Sequence, residues 1–181
     1  MSPLGQSWGV EPTEKNLSFA CDRLEGPFEA DLYRGVTVHA PVAVVFRWLC
    51  QLRVAPYSYD WIDNWGRQSP RHLIPELENL AIGQTVCTIF DLVDFERDRH
   101  LTIRIKPDSP ASKAFGDVAV TYLVVPAGDR TCRLLAKLRV RYPRGPYGWL
   151  LRAVLPAGDW VMMRRQLLNL KGLAEDSQDD P

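Results

Sequence analysis

The chain has 181 residues, 46% of them hydrophobic, which is enough to bury a core and short enough that one domain is the default. Its 22 basic and 22 acidic residues cancel to a formal charge of +0, so no global field draws it to nucleic acid or to an anionic surface; the densest local basic stretch is 139–144. The four cysteines, Cys21, Cys50, Cys87 and Cys132, stand far apart among apolar neighbours with no CxxC or metal spacing, and read as structural thiols of a reducing compartment.

Residues 1–16 are rich in Gly, Pro and polar groups, and residues 175–181 form an acidic tail; neither buries enough apolar area to offset the entropy of ordering. The N-terminal segment lacks the basic start and apolar run of a secretory signal, and no stretch approaches the ~18 apolar residues of a membrane span, so the expectation is a cytoplasmic protein without stable membrane insertion. The domain organisation expected is a flexible 1–16, a single domain over 17–174 and a tail over 175–181.

Residues 32–39 (LYRGVTVH) alternate and end β-branched, predicting a strand. Pro41 then opens PVAVVFRWLCQLR, where Val45, Trp48, Leu49 and Leu52 recur at helical spacing. In YSYDWIDNWGRQSPRHLIPEL (57–77), Tyr57, Trp61 and Trp65 fall on one helical stripe, Gly66 stops the turn, and Ser69-Pro70 has the form of a cap and first helical position; two short helices are predicted. After Gly83 the period falls to two, and four strands are predicted at 84–96, 100–106, 117–125 and 131–142. In LTIRIK and CRLLAKLRV one face is apolar and the other polar, the pattern of antiparallel strands with one dry and one wet face. The closing segment from Gly148 is helical, but Pro156 and Gly158 interrupt it, and Asp159 is placed to cap a second segment with the stripe Trp160, Met163, Leu167 and Leu170; a kinked or broken helix across the sheet is predicted.

That order of elements, together with LYRGVTVHAPVAVVFRWL, PELENLAIGQTV, FERDRHLTIRI and RTCRLLAKLRV, resembles the START-like, or SRPBCC, superfamily of polyketide cyclases and lipid-transfer proteins. The resemblance covers about residues 32–174 and is one of element order rather than of a catalytic signature. It implies an α+β helix-grip fold, a curved antiparallel sheet wrapped around the long C-terminal helix with short helices after the first strand, and an apolar cavity between sheet and helix. Members bind lipids, sterols, hormones or polyketides, and some cyclise or dehydrate them.

On this fold Tyr59, Trp61, Phe90, Phe95, Tyr122, Trp160, Met163 and Leu167 are the candidate walls of a ligand cavity, because aromatic and methionine side chains offer adaptable apolar area. Packing of the same side chains into the core is the plainer account of a helical aromatic stripe. Asp60, Asp63, Arg67 and His72 are a dense ionisable set, of which Asp60 and His72 are the candidate acid or base; a solvated face with an Asp-Arg pair and helix-end charges is the plainer account. With His39 and His100 at strand ends, no cluster suggests zinc, and GxSxG, GxGxxG and GxxxxGK are absent, so no metal or other cofactor is implied. The function expected is binding of a small hydrophobic molecule, a lipid or polyketide-like metabolite. The alternatives are a cyclase or dehydratase using the same cavity, and an interaction module whose exposed aromatics recruit a protein or a second copy as a homodimer. No nucleic-acid partner is expected.

Overall fold

The alternating segments pair into one seven-stranded sheet, seen in the computed structural model, which describes residues 5–59 and 68–177. The strands are β1 (Ser7–Trp8), β2 (Ala30–Val38), β3 (Thr85–Val86), β4 (Phe90–Glu96), β5 (His100–Ile105), β6 (Asp117–Gly128) and β7 (Thr131–Arg141), in the order β1-β2-β7-β6-β5-β4-β3. Only β1, against β2, is parallel; the rest are antiparallel, as the short turns at 97–99 and 129–130 require. Among the described residues three α-helices are added: α1 (Val42–Cys50), α2 (Pro110–Phe115) and α3 (Pro146–Asp176).

Register places Leu32, Arg34, Val36 and Val38 of β2 in line with Leu138, Ala136, Leu134 and Cys132 of β7, and these in line with the inward residues Val120, Tyr122 and Val124 of β6. Leu101 and Ile103 of β5 continue the same face. Helix α1 buries Val45, Phe46, Trp48 and Leu49 against it, and α3 packs chiefly on β2 and α1. The helix-grip architecture expected from the sequence is the one observed.

The opposite face was expected to be wet and is partly covered. Phe19 and Cys21 are buried there against Ala119, Leu123 and Leu135. Cys21 N–H donates to Thr121 Oγ1 at 2.9 Å, and the Thr121 and Thr102 hydroxyls share a further bond of 2.9 Å, which accounts for two threonines with no exposed surface. The N-terminal segment is tied down further along: Arg133 reaches Glu14 at 2.6 Å and the Gly9 carbonyl at 2.6 Å. Gly35 lets it approach, since a Cβ there would stand 2.8 Å from Val10 Cγ1 and 2.9 Å from the Gly9 oxygen. Composition alone missed this because a segment too polar to form its own core can still be held by the sheet's.

Three local expectations need correction. The strand over 84–96 is divided into β3 and β4, because Cys87 and Thr88 take positive φ, 46° and 66°. No helix begins at Ser69-Pro70; a single 3-10 turn, Pro75–Glu78, forms instead, and Tyr57, at φ 55°, is not helical. The remainder of the first predicted short helix, with Trp61 and Trp65, lies outside the described residues. The third concerns α3: of the kinked and broken forms expected at Pro156 the broken one falls, because the helix continues through the proline. Asp159 therefore caps nothing and instead pairs with Arg34 of β2. The loop at 107–116 holds α2, capped where Ser109 Oγ accepts from Ser112 N–H at 3.0 Å with Pro110 in the first turn.

Candidate functional site

Between the inner face of β2 and the first half of α3 lies a cleft of about 430 Å³. Its floor is Ala30 and Leu32, inward positions of β2, and Tyr142, one inward step beyond Val140 of β7; Ala153 and Pro156 of α3 form the facing wall. Gln6, Glu29 and Arg152 form the polar rim. Arg152 pairs with Glu29 and lies over the Tyr142 ring, 5.2 Å from its centroid. Burial pushes the Tyr142 phenol up, with Arg152 acting against it, so the hydroxyl stays protonated at neutral pH.

One turn further along α3 is Asp159. Its carboxylate accepts from Arg34 Nη2 at 2.6 Å, and Arg34, on the inward phase of an otherwise apolar strand face, has no exposed surface. The guanidinium also donates to the carbonyls of Gly5 at 2.8 Å, Gln6 at 3.1 Å, Tyr33 at 2.8 Å and Pro156 at 3.4 Å. A planar fork with five donors is the group that can join the N-terminal segment, β2 and the proline turn of α3 at one point. Burial pushes the Asp159 carboxyl up to about 6, with the charge and hydrogen bond of Arg34 opposing. Arg34 and Asp159 were not among the sequence candidates. The signal was present: an arginine at the inward phase of LYRGV, and a lone acid within an apolar helix.

The second cleft, about 490 Å³, lies on the flank of the C-terminal half of α3, where Tyr57 to Tyr59 and Ser69 to Arg71 face Arg165, Asn169 and Leu173. Asn169 Nδ2 donates to the Tyr57 carbonyl at 2.8 Å, and Arg165 lies 5.9 Å from the Tyr59 ring centroid.

Of the candidate walls, Tyr122, Met163 and Leu167 come together, but as packed core. The Tyr122 hydroxyl donates to Gln166 Oε1 at 2.7 Å and lies 3.8 Å from Met163 Sδ, while Gln166 Nε2 donates to the Pro56 carbonyl at 2.6 Å. Burial pushes the Tyr122 phenol well up, so it titrates at no ordinary pH. These groups fill the centre of the sheet–helix interface. Phe90 and Phe95 sit half-buried on β4, opposite Ile105 and Leu101. Trp160 is largely at the surface, and Tyr59 lines the flank cleft. His72 is exposed; Asp60, Trp61, Asp63 and Arg67 lie outside the described residues. No single cleft among the described residues unites the candidates. Among those residues there is also no group of three or more His, Cys, Asp or Glu placed to hold a metal ion, and no helix long and apolar enough to cross a membrane.

Comparison with protein-family models and with curated proteins gives no match for this chain. Solved structures do match. A hypothetical protein from Helicobacter pylori superposes with a TM-score of 0.56 at 15% identity, covering 87% of this chain and 95% of that one. Norcoclaurine synthase from Thalictrum flavum, a point mutant in complex with a transition-state analogue, gives 0.51 at 9% identity, covering 86% of this chain and 100% of that one. A protein from Thermobifida fusca gives 0.50 at 18% identity, covering 81% and 93%. At such identities the likeness is one of fold, and in that architecture the chain has the helix-grip fold.

Proposed function

We propose that the protein binds a small hydrophobic molecule, a lipid or polyketide-like metabolite, between the sheet and α3. The observation that carries this reading is the cleft of about 430 Å³ with an apolar floor and wall and a polar rim, a size and lining usual for small-molecule sites. The match to norcoclaurine synthase, crystallised with a transition-state analogue, adds that a chain of this architecture can take up a small organic molecule. About ten buried methylenes at ~0.8 kcal/mol each give a gross ~8 kcal/mol, of which association costs remove a part. One polar contact at the Gln6, Glu29 and Arg152 rim would then set orientation.

The test is native mass spectrometry of the purified chain, with identification of anything released on denaturation, followed by titration with a fluorescent fatty-acid analogue. Ala153→Trp, at an exposed position on the cleft wall, fills the space without entering the core, and should weaken probe binding at least tenfold. Unchanged affinity in that variant would remove the ligand from this cleft.

A second reading is catalysis of the cyclase or dehydratase type in the same space. Its candidate is Asp159, one turn beyond the cleft wall at Pro156 and not itself lining the cleft: a buried carboxyl raised to about 6 is suited to proton transfer near neutrality where a substrate or water reaches it. Once a ligand is known, turnover that survives Asp159→Asn would end that assignment.

A further inference from the structure

The two halves of α3 place their apolar residues on opposite sides. In the C-terminal half Met163, Leu167, Leu170 and Ala174 face the core and are buried. In the N-terminal half Tyr147, Leu150, Val154 and Val161 recur at helical spacing, yet they are 50%, 53%, 55% and 43% exposed. Met163 is nine residues beyond Val154, and at about 3.6 residues per turn that is half a turn out of phase. The inward side of this half is occupied by Leu155 and Asp159, so the outer stripe faces away from the core formed by the described residues. Trp149, 74% exposed, stands beside the stripe on the same helix, and Phe115 at the end of α2 is exposed as well. Gly116 holds that end beside the turn into α3: a Cβ there would stand 2.0 Å from the Arg141 carbonyl oxygen and 3.1 Å from Pro143 Cδ.

A contiguous exposed apolar patch marks a contact surface, and its charges indicate the partner. Residues 110–115 and 142–158 contain Lys113, Arg144 and Arg152 and no Asp or Glu, in a chain whose overall charge is +0. Arg152 is engaged with Glu29; Lys113 and Arg144 are exposed, with no ion pair among the described residues. A two-fold interface would set this positive patch against itself and bring like charges together. A negatively charged surface is complementary. An apolar stripe rimmed by Trp, Tyr and basic residues is the composition of helices that lie in the headgroup layer of a bilayer.

We propose that the N-terminal half of α3, together with the end of α2, is a peripheral docking surface for an anionic lipid bilayer. Leu150 and Val154 enter the boundary between headgroups and acyl chains, Tyr147 and Trp149 sit at headgroup level, and Lys113 and Arg144 meet lipid phosphates and carboxylates. This surface is separate from the sheet–helix cleft and does not depend on a ligand there.

The experiment is co-sedimentation of the full chain with vesicles of phosphatidylcholine alone and of phosphatidylcholine mixed with phosphatidylserine. Protein should pellet with the mixed vesicles, less with the neutral ones, and less again as salt is raised. Arg144→Ala should lower the partition coefficient roughly fivefold, the usual contribution of one basic residue at an anionic surface, and Val154→Asp by more, both with unchanged circular dichroism melts. Failure to pellet with the mixed vesicles, or equal pelleting of Val154→Asp, overturns the proposal. So does a dimer in light scattering that Val154→Asp splits, since the stripe would then serve a second copy of the chain.

Discussion

The Arg34–Asp159 pair should be strongly asymmetric. Removing Arg34 orphans a buried carboxyl and withdraws a donor from the carbonyls of Gly5, Gln6, Tyr33 and Pro156 together. Loss of one partner of a buried pair costs about 3–5 kcal/mol, so Arg34→Met should lower the melting temperature by roughly 6–20 °C for a chain of this size. Asp159→Asn leaves the guanidinium its four carbonyl acceptors and should cost less. Its effect also has a predictable pH dependence. The Asp159 carboxyl is raised from 3.8 to about 6 in the folded state, so between those values the native state holds a proton that the unfolded chain has released. The stability this group contributes is fully present below about 4 and is lost as pH rises through about 6, by at most about 3 kcal/mol. Urea unfolding of wild type and Asp159→Asn at several pH values measures it: the variant should gain on the wild type as pH rises across that window. A difference independent of pH, or an Asp159→Asn loss at neutral pH equal to that of Arg34→Met, would refute the reasoning and place the stabilisation in the charge pair rather than in the carbonyl cage.

Tyr122→Phe should lower stability by about 1–3 kcal/mol in the same assay, because Gln166 Oε1 loses its buried donor; an unchanged midpoint would mean that water replaces the hydroxyl. Burial pushes the Cys50 thiol up to about 12 and that of Cys132 to about 11, and raises Cys21 as well, whereas Cys87 is only half-buried. Iodoacetamide on the native protein should therefore label Cys87 first, and rapid loss of two or more thiols by mass spectrometry would contradict the packing. Gly35→Ala forces a Cβ to within 2.9 Å of Leu135 Cδ2 and the Gly9 oxygen and should cost about 1–3 kcal/mol; a neutral effect on thermal melting would show that the N-terminal segment is not seated on β2.

Local pattern by itself determined the sheet and its inward face. The alternation in LTIRIK and CRLLAKLRV sorts Leu101, Ile103, Leu134 and Leu138 to one side whatever the rest of the chain does, because strand geometry reverses every side chain. The amphipathic α1 was legible for the same reason, its apolar positions recurring with the helical period. What sequence could not supply was anything set by contacts between distant segments. Pro156 reads locally as a helix breaker, yet α3 continues through it, anchored by an arginine more than a hundred positions away. The N-terminal segment has too little apolar area to order alone and is held by Arg133 and by a glycine gap on β2. Tyr122, Met163 and Leu167 were expected as cavity walls, but whether the sheet–helix interface encloses space or fills it depends on the volumes of side chains from three elements meeting at once, and around these three it is filled. Only the tertiary structure left open space beside β2 and on the flank of α3 and turned half of an apolar helix stripe toward solvent, because burial belongs to the surface a residue meets and not to the residue.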